Sequence, residues 1–324
     1  MYSALQLLDR VNSYLSGLKL VHGPENLYAP VEYVLSLGGK RIRPVLMLLS
    51  YNLYKENVEP VLPQAAALEI YHNYTLLHDD VMDKSDFRRG KPTVHKVWNE
   101  NTAILSGDAM LVLAYQFLSR NNPPHFGQLQ DLFSQTALEI CEGQQYDMDF
   151  ETRNDVTVGE YVRMIRLKTA VLLAAALKMG AVLADAPSGD AGILYDFGIN
   201  MGLAFQLKDD YLDVYGDPAV FGKKIGGDIL CNKKTYMLIE ALAHADARQQ
   251  AELEHWLGET ACVPEEKIAA VTRLYDEVGI KGICENKMRE YYVSAIEGLS
   301  GLSVADEKVQ SLKHFAEHLM YREM

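Results

Sequence analysis

The sequence predicts an all-α fold, organised as a single large domain over residues 1–324. Three observations carry that reading. Apolar residues recur at helical spacing almost throughout the chain. No alternating strand pair and no Asn-Gly hairpin signal interrupts them. Chain-breaking residues gather at a few points: Gly38-Gly39, Glu59-Pro60 to Pro63, Asn121-Asn122-Pro123-Pro124, Ala186-Pro187-Ser188-Gly189 and Gly216-Asp217-Pro218.

Between these points lie long apolar-patterned segments, among them 64–81, 102–119, 127–149 and 191–214. Helices this long and this apolar pack around a common core. A further helix is expected from Val162 to Ala186, with Lys168-Thr169 interrupting its apolar run. Its most apolar part, Val171 to Ala186, contains Lys178, is too short to cross a membrane and reads as a buried helix. Composition does not shift anywhere in the manner of a linker, and no repeat of solenoid length is evident.

Hydrophobic residues make up 48% of the chain and charged residues 23%, which suits a soluble globular protein with a sizeable core. Lys and Arg number 31 against 44 Asp and Glu, a net charge of −13 that argues against nucleic acid as a partner. Small anionic substrates remain compatible if a local basic patch overrides the global field. Cys141, Cys231, Cys262 and Cys284 are scattered without metal-type spacing and read as free thiols of a reducing compartment. The N-terminus lacks a charged region followed by an apolar run, so no secretory signal is expected and a cytoplasmic location is.

Two acidic clusters stand out. The first is His78-Asp79-Asp80-Val81-Met82-Asp83 and the second Gln206-Leu207-Lys208-Asp209-Asp210-Tyr211-Leu212-Asp213. Asp79 and Asp83 are four apart, so a helix stacks them on one face, where like charges repel by a few tenths of a kcal/mol. A cation must compensate. One such run is by itself an ordinary solvated face, but both have apolar approaches, and carboxylates rarely lie among apolar residues unless paired or bound to metal. Two facing helices carrying these clusters would offer oxygen ligands to a hard cation such as Mg²⁺.

Basic residues follow the same logic. Gly38-Gly39-Lys40-Arg41-Ile42-Arg43-Pro44 places three cations within four residues, able to hold a diphosphate. Arg88-Arg89 follow the first cluster and offer bidentate forks to phosphate oxygens. His72, two turns before Asp79, is either a core residue or a donor to phosphate. Glu69 and His72 also form the Glu-x-x-His pair of di-iron bundles, but the other such pair, Glu252 and His255, lies in a polar stretch, and that reading needs inward-facing partners. Lys168 is either snorkelling or recruited to an anion. Phe221-Gly222-Lys223-Lys224-Ile225-Gly226-Gly227-Asp228 and Asn232-Lys233-Lys234-Thr235 read as a Gly/Lys flap that closes on phosphates.

In this order, Gly-Gly-Lys-x-x-Arg-Pro, Asp-Asp-x-x-Asp with Arg-Arg-Gly, Lys-Thr, and Gln-x-x-Asp-Asp-x-x-Asp with a later Gly-Lys, the chain from about Gly38 to Lys234 resembles the trans-prenyltransferases (isoprenyl diphosphate synthases). The resemblance implies long helices around a deep central cavity, a homodimer, and condensation of isopentenyl diphosphate with an allylic diphosphate, using Mg²⁺ at about three ions per site with substrate bound. It implies Asp79, Asp80, Asp83 and Asp209 as metal ligands, with Asp210 and Asp213 in the same cluster. Arg88, Lys168, Thr169, Gln206, Lys223 and Lys233 are implied as contacts to the allylic diphosphate. Gly39, Lys40, Arg43, His72 and Arg89 are implied for the isopentenyl diphosphate site. Metals and cations would stabilise the departing diphosphate, the isopentenyl double bond would attack the allylic cation, and no protein nucleophile is required.

Tyr74 lies five residues before Asp79, about 7–8 Å along the helix axis, and Tyr71 lies about 12 Å away. A growing prenyl tail running down this helix would meet these rings, so the two read as chain-length residues, and Thr75 is not a second aromatic. The expected product is C15–C20, with geranylgeranyl diphosphate ahead of farnesyl diphosphate. The alternatives are a longer-chain synthase, a non-catalytic subunit and a terpene cyclase, the last opposed by Asp209-Asp210-x-x-Asp213. Two departures from the family pattern are Cys231-Asn232, where Glu-Gly is common, and a C-terminus without a basic tail.

Overall fold

The computed structural model of the chain describes residues 1–20, 23–217, 225–259 and 261–321. Within them the helices are α1 Ala4–Ser16, α2 Glu25–Ser36, α3 Ile42–Asn52, α4 Leu62–Met82, α5 Val94–Val97, α6 Glu100–Ser119, α7 Phe126–Glu151, α8 Val158–Ile165, α9 Val171–Leu183, α10 Ser188–Tyr215, α11 Gly227–Leu230, α12 Tyr236–His244, α13 Ala247–Gly258, α14 Pro264–Val278, α15 Ile280–Gly298 and α16 Asp306–Tyr321. The all-α class is as expected.

One feature was not expected. Two-residue strands, β1 Phe87–Arg88 and β2 Lys91–Pro92, pair antiparallel. One of the two common two-residue hairpin turns uses two successive left-handed residues, usually Asn-Gly or Asp-Gly. Here Arg89 (φ 52°) and Gly90 (φ 75°) occupy those positions, so a turn that reads in sequence as a basic patch closes the hairpin.

The chain divides into two compact units. One comprises residues 1–134, 175–194 and 302–312, and the other 135–174, 195–301 and 313–324. In the first, every residue of α3 except Arg43 is buried, as a helix apolar on all sides requires. Within α9, Gly180 passes so close to α3 that a β-carbon there would lie 2.1 Å from the Met47 carbonyl oxygen. Ser50 Oγ donates to the Leu177 carbonyl at 2.6 Å and secures the same contact. Helix α4, 21 residues long, spans about 32 Å. It is buried at every position from Leu62 to Tyr71, and from His72 onward buried and half-buried positions mix until Met82 and Asp83 are exposed. The sequence thus carries one helix from core to surface, with the first acidic cluster at its open end.

Helix α6 packs along α4, and His78 lies over Gly107, where a β-carbon would sit 2.2 Å from Nε2. Among the described residues α6 is also the one helix long and apolar enough to cross a membrane, with 39% of its apolar window buried. Ile104, Leu105 and Val112 on it are exposed.

The second unit has its core among Tyr161, Leu207, Leu238, Leu274, Tyr275 and Cys284. Helix α14 begins with proline in its first turn beside Glu265 and Glu266, which suit the positive helix end, and stops at Gly279 with φ 81°. The helix expected from Val162 to Ala186 is present as α8 and α9, but the two are joined by a π turn, Arg166–Ala170, which contains Lys168 and Thr169.

Candidate active site

In the first unit the basic turn before α3 is built on backbone that favours glycine. Gly38 and Gly39 have φ of 75° and 134°. A β-carbon on Gly39 would meet the Arg89 guanidinium at 2.7 Å, and Arg89 Nη1 donates to the Gly38 carbonyl. Lys40 is exposed. Arg41, at φ 48°, turns into the core. It pairs with Glu69 at 2.6 Å and donates to the Leu35 carbonyl at 2.8 Å. Of the three cations expected here for a diphosphate, Arg41 is therefore committed to the fold. The same pairing absorbs Glu69, which also accepts from Asn73 at 2.8 Å, so the Glu-x-x-His pair divides between different partners.

Arg43 Nη1 stands 3.0 Å from His72 Nε2. Burial lowers the Arg43 pKa to about 10, with the Glu69 charge opposing and Arg89 adding to the shift. Burial, then the charges of Arg43, Arg89, Arg88 and Arg41, hold His72 well below the usual histidine range. Its imidazole is neutral, and Nε2 accepts from Arg43, which leaves Nδ1 as the only nitrogen able to donate to a phosphate. Arg43 Nε is buried with no partner among the described residues. Such a set of crowded guanidinium groups favours an anion.

At the end of α4, Asp79 is half-buried and Asp83 exposed, on the face their spacing predicts. Asp80 is buried and points elsewhere: Arg88 Nε donates to its two oxygens at 2.8 and 2.7 Å, and Arg88 Nη2 reaches Oδ1 at 2.7 Å. Burial raises the Asp80 pKa against the pull of Arg88. Burial works to lower the Arg88 pKa, but Asp80 outweighs it and the net shift is upward. Next to one another in sequence, Asp79 and Asp80 differ by about 100° around the helix, which separates their surroundings. Further back, Tyr71 is fully buried and Tyr74 half-buried, with ring centroids 5.5 Å apart. Tyr71 meets Phe133 edge-on at 5.2 Å, and Tyr74 meets His78 at 4.8 Å.

In the second unit the second cluster lies on α10 within a chain of polar contacts. Lys168 Nζ donates to Asp147 at 2.6 Å, and Thr169 Oγ1 to Gln206 Oε1 at 3.0 Å. Gln206 Nε2 donates to Asp210 at 3.0 Å, and the Tyr161 hydroxyl donates to the other Asp210 oxygen at 2.5 Å. Asp210 is buried, and that burial raises its pKa despite Lys233 and these two hydrogen bonds. Asp209 and Asp213 are half-buried, and Asp213 Oδ2 accepts from the Asp228 backbone N–H at 2.9 Å. Burial pushes Asp228 up to about 7 against Lys233. Burial lowers the Lys233 pKa, but Asp210 and Asp228 together reverse it. Lys223 lies outside the described residues.

Asp147, Tyr161 and Asp228 join these groups without having been singled out as site residues in the sequence. Asp228 stands in the Gly/Lys loop itself, whereas Asp147 and Tyr161 are single polar residues on helices and carry no separate signal. The Asn232 departure has a backbone reason. Its φ is 54°, a conformation glycine adopts freely and asparagine tolerates. Its side chain accepts from Lys267 Nζ at 2.7 Å and donates to the Leu257 carbonyl at 3.0 Å.

Among the described residues no three carboxylate, imidazole or thiolate side chains converge into a ready-made metal cage. Magnesium does not need one, since it keeps several waters and takes one or two carboxylates together with substrate phosphate oxygens. The all-oxygen carboxylate pairs Asp79/Asp83 and Asp209/Asp213 fit that requirement.

The polyprenyl synthetase family model matches residues 24–277. The chain belongs to the polyprenyl synthetase family. It is thereby a prenyltransferase. A geranylgeranyl diphosphate synthase of Methanosarcina mazei is 39% identical over 317 residues, covering 97% of this chain and 95% of the relative. A short chain isoprenyl diphosphate synthase of Methanocaldococcus jannaschii is 44% identical over 237 residues, 72% of each chain. A crystal structure of geranylgeranyl pyrophosphate synthase superposes with a TM-score of 0.95 at 43% identity, covering 100% of both chains.

Proposed function

We propose that this polyprenyl synthetase condenses isopentenyl diphosphate head to tail with allylic diphosphates and stops at C20, geranylgeranyl diphosphate, ahead of C15. The observation that carries the reading is the cluster of Arg43, His72, Arg88 and Arg89, in which a neutral imidazole and a partnerless buried guanidinium nitrogen sit among crowded cations. Lys168 and Thr169, beside the second aspartate motif, supply a second set of donors.

Arg43, Arg89, Lys40 and the Nδ1 side of His72 hold isopentenyl diphosphate, with Gly39 allowing close backbone approach. Lys168, Thr169, Gln206 and Lys233, with Lys223 and Arg88, orient the allylic diphosphate. Asp79, Asp83, Asp209 and Asp213 are the residues that hold magnesium, with Asp80 and Asp210 supporting Arg88 and Gln206. Magnesium, when bound, supplies positive charge that favours departure of the diphosphate. Lys168, held by Asp147, adds positive charge where negative charge develops on the leaving oxygens. The isopentenyl double bond attacks the allylic cation, and a proton then leaves the new C–C bonded intermediate for the released diphosphate.

The half-buried Tyr74 ring, backed by buried Tyr71, limits tail growth, in keeping with the short-chain names of the relatives. The exposed Ile104, Leu105 and Val112 of α6 support a homodimer, in which a second copy covers them. The four unpaired cysteines support a cytoplasmic enzyme.

The test is incubation with Mg²⁺, labelled isopentenyl diphosphate and each of the C5, C10 and C15 allylic diphosphates, with products resolved by length. Extension ending at C20 is expected. Products well beyond C20 would overturn the short-chain reading, and no condensation with any primer would overturn the function.

A further inference from the structure

The π turn Arg166–Ala170 is an uncommon, wide turn that α-helical hydrogen bonding does not by itself favour. Two other helices hold it, and they do so in the same way. On α7, Gly143 approaches the turn so closely that a β-carbon would lie 2.3 Å from the Lys168 backbone nitrogen and 2.8 Å from the Leu167 carbonyl carbon. On α10, a β-carbon at Gly202 would lie 2.5 Å from Ala170 Cα and 2.6 Å from its Cβ. Four residues after Gly143 comes Asp147, which accepts from Lys168 Nζ. Four residues after Gly202 comes Gln206, which accepts from Thr169 Oγ1. Each helix therefore offers a bare backbone to one side of the turn and, one helical turn later, a side chain that takes the polar group the turn presents.

We propose that Gly143 and Gly202 are positioning residues that clamp the π turn, so that Lys168 and Thr169 face the allylic diphosphate together; this rests on the substrate assignment above. Ordinary contact with a β-carbon begins at 3.4 Å, so alanine at either position must push the turn away by about 1 Å. In a close-packed interior that displacement is not absorbed locally. It moves the Lys168 ammonium and the Thr169 hydroxyl relative to Asp147 and Gln206, and with them the donors for one substrate. The isopentenyl donors belong to other elements, α3, α4 and the hairpin, and are not carried by the turn. The expected damage is one-sided.

The experiment compares Gly143→Ala and Gly202→Ala with Gly127→Ala on α7 and Gly192→Ala on α10, positions where a β-carbon meets nothing within 4 Å. KM for each substrate is measured separately, together with calorimetric binding of inorganic pyrophosphate in Mg²⁺. A displacement on this scale lowers kcat/KM by on the order of a hundredfold, expected through the allylic diphosphate, while KM for isopentenyl diphosphate stays within about twofold and pyrophosphate binding weakens. The control variants should behave as wild type. Asp147→Ala leaves both glycine contacts intact and removes the acceptor that holds Lys168, and must show the same one-sided rise. Equal changes in both KM values, or none, overturn the clamp, and an unchanged allylic KM in Asp147→Ala does so even if neither glycine variant folds, because the placement of Lys168 would then not matter to that substrate. A wild-type enzyme that binds pyrophosphate without condensing substrates would fail the proposed function alone, and weakened pyrophosphate binding in the glycine variants would still support the clamp. Wild-type protein that neither condenses substrates nor binds pyrophosphate overturns both.

Discussion

Arg88 donates from Nε to both oxygens of Asp80, at 2.8 and 2.7 Å. The middle aspartate of the first motif is thus the counter-ion of an arginine, whereas its neighbours Asp79 and Asp83 lie on the helix face that their spacing sets. Replacing Asp80 by Asn leaves Arg88 without its charge partner. Loss of hydrogen bonds to a charged group costs about 2 kcal/mol, to be read from urea unfolding. Because Asp80 serves Arg88, the half-saturating Mg²⁺ concentration should stay within about twofold of wild type while KM for the allylic diphosphate rises. A large rise in the Mg²⁺ requirement would instead make Asp80 a direct ligand.

Asp79→Ala should behave in the opposite sense. Removal of one charge-stabilising group costs on the order of 10²–10³ in kcat, and with a metal ligand lost turnover should fall at least that far. Circular dichroism should be unchanged, since Asp79 lies at the half-buried end of α4. Retained full activity would refute the metal assignment.

The two tyrosines should separate by kind of effect. Tyr74→Ala should lengthen the product with a modest loss of stability, seen by chromatography of the prenyl chains. Tyr71 is 1% exposed and packed against Phe133, so Tyr71→Ala should lower stability by about 3–5 kcal/mol whatever it does to product length. An unchanged product distribution in Tyr74→Ala would remove that residue from length control.

His72 predicts a pH dependence of stability. Burial first, then four arginines, lower its folded-state pKa well below 6.5. Between that lowered value and about 6.5 the unfolded chain binds the extra proton and the folded chain does not, so stability rises with pH across this window. The contribution is complete above about pH 6.5 and declines as pH falls through it, with a slope of up to about 1.4 kcal/mol per pH unit. Urea unfolding between pH 5 and 7 should show a shallower slope in His72→Gln than in wild type, and equal slopes would assign the acid sensitivity to other groups.

Periodicity made most of the architecture legible, because helices such as α4 and α10 bury apolar residues at regular spacing. The aspartates and basic residues were legible for the opposite reason: charges among apolar residues need a cause. What could not be read were directions in space. Arg41 and Arg43 are two apart and chemically alike, yet a left-handed backbone at Arg41 sends one into the core toward Glu69 and leaves the other with His72. The π turn was hidden as well, since one wider turn scarcely disturbs an apolar pattern. Asp147 and Tyr161 entered only through contacts with residues distant in sequence.

The hairpin between Phe87 and Pro92 turns chain length into chemistry. With a turn of two residues, Arg88 is delivered to Asp80 and Arg89 to the Gly38 carbonyl. Adding or removing a single residue there would shift the pairing of Phe87 and Arg88 with Lys91 and Pro92 and carry Arg89 away from the Gly38 carbonyl. Although exposed, this stretch should tolerate changes of side chain at Lys91 far better than any change of length, unlike an ordinary surface loop.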